Sequence, residues 1–316
     1  MLRLIGRRLL TIVPTLIIVT FGVFLLAQLL PSDPAVVAAG GESATPAGIA
    51  QARADLHLDD PILTQYWHWI TGAVQGDLGT SYTRHTAVGD DLRQRVPVTL
   101  GLVLAATIFA LVLAVPLGIL SGLRPNGAAD QGSRVLASAS VAIPSFLLGI
   151  FLVVVFAVKL KWLPPNGYVK FSESPTEWLR YITLPAIALG MGIAAAIMRQ
   201  LRAALVDELD SNHIRTGWAI GGAAPRVVGV HGLKNASSPA ITILGLQVAG
   251  LVGGTVLVEQ IFSIPGIGYY LFGSISQSDL PVIQGCVLVL AVIQILMSLT
   301  VDITYALLNP KVRVAA

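Results

Sequence analysis

Charge is scarce in this sequence. Asp, Glu, Lys and Arg make up 12% of its 316 residues and hydrophobic residues 54%, and mean hydropathy is +0.77. A soluble core of this size does not need so few charges, so the composition points to an integral membrane protein. The single cysteine, Cys286, lies in an apolar run. It excludes a disulfide framework and reads as a small core hydrophobe. None of the lysines, Lys159, Lys161, Lys170, Lys234 and Lys311, follows a glycine. A G-x-x-x-x-G-K-[ST] phosphate loop is therefore excluded, and with it nucleotide hydrolysis by that machinery. H-E-x-x-H and G-x-S-x-G are absent too, which removes the common metalloprotease and serine-hydrolase patterns. His57, His68, His85, His213 and His231 are dispersed, so no shared metal site and no cofactor are expected. The net charge of +3 comes without a basic stripe, which argues against nucleic acid as a partner. There is no internal repeat with a period of about 20–50 residues.

What is there is a series of long apolar segments. A bilayer core needs about 20 apolar residues per helix. Six segments qualify: 9–30, 98–120, 135–158, 182–198, 240–258 and 282–308. The first follows Arg3, Arg7 and Arg8. It is too long for a signal-peptide core and leaves through LLPSDPA, a poor cleavage site, so it reads as an uncleaved anchor. With the N-terminus inside, 12 of the 20 basic residues fall on the cytoplasmic side, as the positive-inside rule asks. Arg53, Arg84, Arg93 and Arg95 lie in a long external loop that translocates regardless of charge. Lys159, Lys161, Lys170 and Arg180 oppose the rule, the first two close enough to a helix end to snorkel. Six spans place both termini in the cytoplasm.

The external segment 31–97 has aromatic and turn signals of its own. Ile62, Tyr66, Trp69, Ile70 and Ala73 follow a helical stripe, and Ala38–Pro46 is small and Gly-rich. It reads as a small folded cap, its aromatics packing or anchoring at lipid headgroups. Within the spans ionisable groups are few. Glu259 closes the fifth and Asp302 lies late in the sixth; each is either a functional charge or one paired within the bundle.

The polar, basic stretch 207–239, DELDSNHIRTGWAIGGAAPRVVGVHGLKNASSP, stands between two apolar runs. A short helix over 212–220 would present Ile214, Trp218 and Ile220 as apolar knobs. Gly221–Gly222 would end it, and Pro225 suits the start of the next helix. By its residues alone, such a helix fits a partner's groove or the lipid surface. In SIPGIG (263–268), Pro265 fixes φ and Gly266 permits a tight external turn. Gly190 and Gly192 in the fourth span, and Gly245, Gly250, Gly253 and Gly254 in the fifth, allow close helix approach.

Several motifs, taken in order, resemble the B-type permease subunit of the dipeptide, oligopeptide and nickel ABC importers. They are QYWHWITGAVQGDLGTSY (65–82), IPSFLLG (143–149), HIRTGWAIGG (213–222), HGLKNASSP (231–239), VLVEQIFSIPGIGYYLF (256–272), SDLPVIQG (278–285) and VDITYALLNPKVR (301–313). The resemblance covers nearly the whole chain. It implies an all-α membrane protein with six transmembrane helices and the type I ABC importer permease fold, with a small extracytoplasmic domain between the first two helices. On that division 1–30 is the anchor helix, 31–97 the cap, 98–309 the permease core with coupling loop 207–239, and 310–316 a cytoplasmic tail.

The family's coupling signature, a pattern like E-A-A-x-x-x-G, falls on Arg215–Gly221. Arg215, Thr216, Ala219 and Gly221 match the R-T-A-R-A-K-G common in the peptide branch. Gly217, Trp218 and Ile220 depart from it with the loss of two positive charges, and Lys234 stands near the loop's end where the family often has proline. The resemblance assigns ATPase contact to Asn212, His213, Ile214, Arg215, Thr216, Trp218, Ala219, Gly221 and Gly222. It points to Pro144, Ser145, Gly254, Glu259, Pro265, Gly266 and Gly268 as path or gate residues, although an ordinary helix-connecting turn also accounts for SIPGIG. The implied partners are a second, homologous permease subunit, two ATPase subunits or one fused ATPase that bind ATP and Mg, an extracytoplasmic substrate-binding protein, and the lipid of a bacterial inner membrane. Di- or oligopeptides are the first expected cargo; nickel, glutathione or another small solute is the alternative. Two other classes stay open: an ion-driven secondary transporter using Glu259 and Asp302, and a membrane-anchored receptor working through its external loop.

Overall fold

The computed structural model describes residues 2–28 and 32–308, with side chains left undescribed at some of these, Asp302 among them. The Asp302 side chain and the 310–316 tail therefore lie outside the described residues. Helices account for the described fold, and no strand occurs there beyond an isolated bridge between Thr80 and Ala87.

In chain order the helices are α1 (Leu2–Ala27), α2 (Pro34–Ala38), a 3-10 turn (Gly41–Ser43), α3 (Pro46–Asp55), α4 (Ile62–Val74), α5 (Val88–Leu123), α6 (Ala128–Ala142) and α7 (Ser145–Leu152). A π-helix, Val153–Lys159, continues α7. Then come α8 (Pro175–Leu209), α9 (Asn212–Ala219), a second π-helix (Pro225–Leu233) that runs into α10 (Lys234–Phe262), α11 (Ile267–Ser276) and α12 (Leu280–Leu308).

Among the described residues, four helical segments are long and apolar enough to cross a membrane, or five if the bent pair α6–α7 counts as one, and Ile12–Leu26 of α1 is a further apolar helical stretch. The helices overrun the apolar segments read from sequence. At 36 residues, α5 is about 54 Å long, against a hydrocarbon core of about 30 Å. It starts at Val88, so the boundary placed at 97 falls inside it. Likewise 182–198 is the middle of α8, and 240–258 the middle of a continuous helix from Pro225 to Phe262.

The 135–158 segment is not one straight span. Its two helices meet at 106° across Ile143–Pro144. Proline has no N–H to continue the α-ladder and disfavours helical geometry at the residue before it. Ile143 is extended accordingly (φ −99°, ψ 118°).

The tightest seam is α5 on α8. Leu102, Ala106, Ala110, Ala114, Gly118 and Gly122 recur every fourth residue on α5 and all are buried. Small residues let the backbones approach. A Cβ at Gly190 would sit 2.5 Å from the Ala106 carbonyl oxygen, while Leu201 and Leu205 of α8 fill the hollows over Gly118 and Gly122. The other glycines named from sequence divide. Gly245 packs against Val301 of α12, whereas a Cβ at Gly192, Gly250 or Gly253 would meet nothing within 4 Å. Those three are not close-packing positions within this chain.

The bundle has two ends of different character. One carries α2–α4, the 76–87 turns, the 160–174 segment and the turn after α10. On it, α4 buries Tyr66, whose hydroxyl lies 2.8 Å from Thr20 Oγ1 of α1 and whose ring meets Phe21 and Phe24 edge-on. The other end carries the 124–127 turn, the end of α8, α9 and the start of the Pro225 helix.

Candidate functional site

Two places carry the residues singled out above. The first is the turn from α10 into α11. Glu259, on the last turn of α10, is fully buried. Its Oε1 accepts from Thr99 Oγ1 of α5 at 2.8 Å, and its Oε2 from the Tyr269 amide at 3.0 Å. Thr99 Oγ1 in turn accepts from the Ile267 amide at 2.9 Å. The carboxylate therefore draws on the orphan amides that open α11.

The glycines of SIPGIG serve this arrangement by their missing side chains. Gly266 has ordinary φ (−88°), so backbone freedom is not its role, contrary to the turn argument from sequence. The left-handed residue is Ser263 (φ 51°). A Cβ on Gly266 would fall 2.5 Å from the Glu259 carboxyl atoms, and one on Gly268 would fall 2.5 Å from Val256 Cα. Pro265 is exposed, and its carbonyl accepts from Arg95 Nη1 at 3.4 Å.

Neighbouring groups extend the cluster. Arg95 and Arg84 lie over the Tyr270 ring at 4.2 and 5.0 Å, a cation–π arrangement, and the Tyr270 hydroxyl donates to Asp91 Oδ2 at 2.7 Å. Beside it, buried Asp279 at the start of α12 accepts from Ser81 Oγ (2.5 Å), Tyr82 N (3.1 Å), Thr83 N (3.2 Å) and Thr83 Oγ1 (2.8 Å). Burial and the Asp279 charge push the Tyr82 phenol up to about 12.

Pro144, Ser145 and Gly254 stand apart from this cluster. The first two mark the α6–α7 break. Gly254 is exposed on α10, where the nearest atom to an added Cβ would be Leu189 Cδ2 at 3.8 Å. Sequence reasoning missed Thr99, Asp91 and Asp279. Asp279 alone left a signal, an acidic cap just before Leu-Pro at a helix start.

The second place is α9. Only Asp210 and Ser211 separate it from α8. It is tied back by Arg215 Nη2 to Asp210 Oδ1 (2.5 Å) and by His213 Nε2 to Glu208 Oε1 (2.8 Å). Asn235 Nδ2, at the start of α10, donates to the same Glu208 oxygen at 2.7 Å. Ile214 is 1% exposed. It is therefore an anchor into this chain and not one of the presented knobs. Trp218 and Ile220 are 45% and 81% exposed. Asn212, His213, Arg215, Thr216 and Ala219 are exposed as well.

The helix ends as its glycines require. Gly221 takes φ +80°, the left-handed geometry that favours glycine after a helix. Gly222 is needed for space, since a Cβ there would lie 2.6 Å from the Gly217 carbonyl oxygen and 2.8 Å from Val227. Gly217, one of the departures from the peptide-branch pattern, also faces Val227. The surface this leaves can dock a partner. It has no grouping for covalent chemistry, and no group of His, Cys, Asp and Glu suited to a metal occurs among the described residues.

Comparison with known proteins identifies the family of the chain. Residues 114–314 match the family described as "binding-protein-dependent transport system inner membrane component", and residues 1–103 match its N-terminal counterpart. The chain is 41% identical over 313 residues to the glutathione transport system permease protein GsiC of Pectobacterium atrosepticum, and 39% identical to those of Escherichia coli (strain K12) and Shigella flexneri, each alignment covering 99% of both chains. The chain therefore belongs to the binding-protein-dependent transport inner membrane components, as a multi-pass permease subunit of an ABC importer of the dipeptide, oligopeptide and nickel type.

Proposed function

We propose that this subunit forms, with a second homologous permease, the path by which a small peptide of the glutathione kind is imported, and that α9 is where the ATPases push. The observation that carries the coupling assignment is the state of α9. It is an eight-residue helix anchored by one buried side chain, Ile214, and it leaves Trp218 and Ile220 uncovered by this chain. An exposed apolar pair on a short helix fits a groove in a partner. Its apolar character, where the peptide branch has basic residues, calls for an apolar counterpart on the ATPase.

On this reading the α9 end is cytoplasmic, six passes bring both termini to that side, and α2–α4 form an extracytoplasmic cap facing the binding protein. ATP and Mg belong to the ATPase subunits. The exposed glycine face of α10, Gly250 and Gly253, suits the pseudo-two-fold contact with the second permease. The turn held by Glu259, Gly266 and Gly268 is the outer gate. Glu259 is engaged in hydrogen bonds that build that turn, which weighs against a second use as the ion site of a secondary transporter.

Glutathione is preferred as cargo over the dipeptides first expected because the relatives carry that name; it is itself a tripeptide. The test is reconstitution of the complex, with its co-purified ATPases and binding protein, into proteoliposomes. ATP-dependent uptake of labelled glutathione, competed poorly by dipeptides, is the expected result. Preferential dipeptide or nickel uptake would replace the cargo, and uptake driven by an ion gradient without ATPase would overturn the whole reading.

A further inference from the structure

At the α9 end of the bundle lies a charge pair that the functional reading does not use. Asp130, near the start of α6, is fully buried. Arg202 of α8 reaches it with two nitrogens: Nη2 lies 2.8 Å from Oδ2, and Nε bonds Oδ1. Asp130 Oδ2 also accepts from the Asn126 amide at 2.8 Å, fixing the α5–α6 turn, where Asn126 is left-handed (φ 64°). The same corner is closed by Ser133 Oγ donating to the Asp130 carbonyl (2.9 Å) and by Ser121 Oγ of α5 against Ser133 Oγ (2.6 Å).

The position of this pair is its most telling property. Arg202 stands less than two turns before Glu208, the residue that holds both His213 of α9 and Asn235 of α10. Asp130 stands at the near end of α6, a 15-residue helix about 22 Å long, whose far end is the 106° break at Ile143–Pro144. Beyond the break, α7 packs Gly149 against Phe262 of α10, where a Cβ would lie 3.1 Å from that ring. Phe262 directly precedes the turn that Glu259 holds. A rigid route thus runs from α9 through the end of α8, across Arg202–Asp130, along α6 to its hinge. Helix packing alone permits sliding between α6 and α8. A planar guanidinium fork on a buried carboxylate resists it, because any shear breaks two charge-assisted bonds at once and leaves Asp130, which is covered by a partly exposed Arg202, without its partner.

We propose that Asp130 and Arg202 are positioning residues for transport: the strut that makes α6 follow the end of α8 when α9 is displaced. This rests on the reading of α9 as the coupling helix. The test uses the assembled complex in proteoliposomes, with uptake and ATP hydrolysis measured together for Asp130→Asn, Arg202→Gln and Arg202→Lys, and with Trp218→Ala as the reference. The expected result for Asp130→Asn and Arg202→Gln is hydrolysis near wild type with uptake per ATP lowered about tenfold, a typical coupling free energy. Arg202→Lys keeps the charge but loses the fork and is expected to fall between.

An unchanged ratio in all three variants overturns the strut. So does a parallel fall of hydrolysis and uptake, or failure of even Arg202→Lys to assemble, because the pair then serves folding alone. If Trp218→Ala leaves uptake intact, the reading of α9 itself has failed. If Trp218→Ala uncouples while the pair variants do not, only the strut has.

Discussion

Ser81 Oγ donates to Asp279 Oδ2 at 2.5 Å, joining residues 198 positions apart, both buried. Asp279 collects three further bonds from Tyr82 and Thr83, so one carboxylate pins the turn before α5 to the first turn of α12. Replacing Asp279 by Ala orphans the buried Ser81 hydroxyl and, at the half-exposed edge of the turn, two amides and the Thr83 hydroxyl. Each buried unsatisfied donor costs about 1–3 kcal/mol, partly relieved here by relaxation of the turn. The expected outcome is a loss of about 3 kcal/mol, seen as a lower unfolding midpoint in detergent and new proteolytic cleavage within 76–87. A protected turn in the Ala variant would show that the hook carries little.

The turn after α10 gives a sharper contrast. Gly266→Ala places a methyl on the Glu259 carboxyl, 2.5 Å away in the present geometry, so the carboxylate must leave its bonds to Thr99 and Tyr269 or the turn must open. Gly273→Ala on neighbouring α11 meets nothing within 4 Å and serves as the matched control. Uptake by the assembled complex is expected to drop about tenfold or more for Gly266→Ala, an effect of at least about 1.4 kcal/mol, and to be unchanged for Gly273→Ala. Shortening the acid by Glu259→Asp in the Gly266→Ala background should recover part of the loss. Equal activity of the two alanine variants would remove the steric argument.

Ile214 and Trp218 lie on the same short helix and should fail differently. Ile214 is buried, and Ile→Ala in a core costs about 2–5 kcal/mol, so Ile214→Ala should loosen α9 and raise hydrogen exchange over 212–222. Trp218 is 45% exposed. Trp218→Ala should leave exchange and unfolding as in wild type while uptake per ATP falls. If Trp218→Ala destabilises the isolated subunit as much as Ile214→Ala, the exposed side chain is a fold element and not a contact surface.

These contrasts also mark how far the residues alone could be read. Apolar runs located the long helices because bilayer thickness and composition act on the same residues. They could not locate the ends, since Val88–Leu92 and Leu201–Leu209 continue as helix through charged sequence, and Val227–Leu233 joins α10 through a π-helix across two glycines. The α9 helix and its stop at Gly221 were legible from local rules. The burial of Ile214 was not, because facing is set by how α9 lies against the following helix, whose Val227 packs at Gly217 and Gly222. Pro144 was noticed for its family motif, yet a sharp break was not inferred from it; hydropathy is blind to direction. Glu259 stood out as a charge in an apolar run. Its partners could not be read, because Thr99 lies 160 positions away and the other donors are backbone amides that any sequence would supply.

Gly250 and Gly253 supply the remaining test. At Gly118, Gly122 and Gly190 the missing side chain is used inside the chain, as the 2.5 Å approach at Gly190 shows, but at Gly250 and Gly253 an added Cβ meets no neighbour within 4 Å. Glycine in a helix interior costs about 1 kcal/mol relative to alanine, so keeping it where this chain needs no space requires an outside reason, and close approach by a second permease is one. Gly250→Leu and Gly253→Leu should therefore leave the subunit folded and inserted alone, with an unfolding midpoint at or slightly above wild type. Co-purification of the second permease should meanwhile fall about tenfold or more, equivalent to at least about 1.4 kcal/mol of association. Gly192→Leu, equally open within the chain but on α8, separates a specific α10 face from a general intolerance of bulk. If all three variants lose the partner alike, the α10 face is not the contact; if none does, the two permeases meet elsewhere.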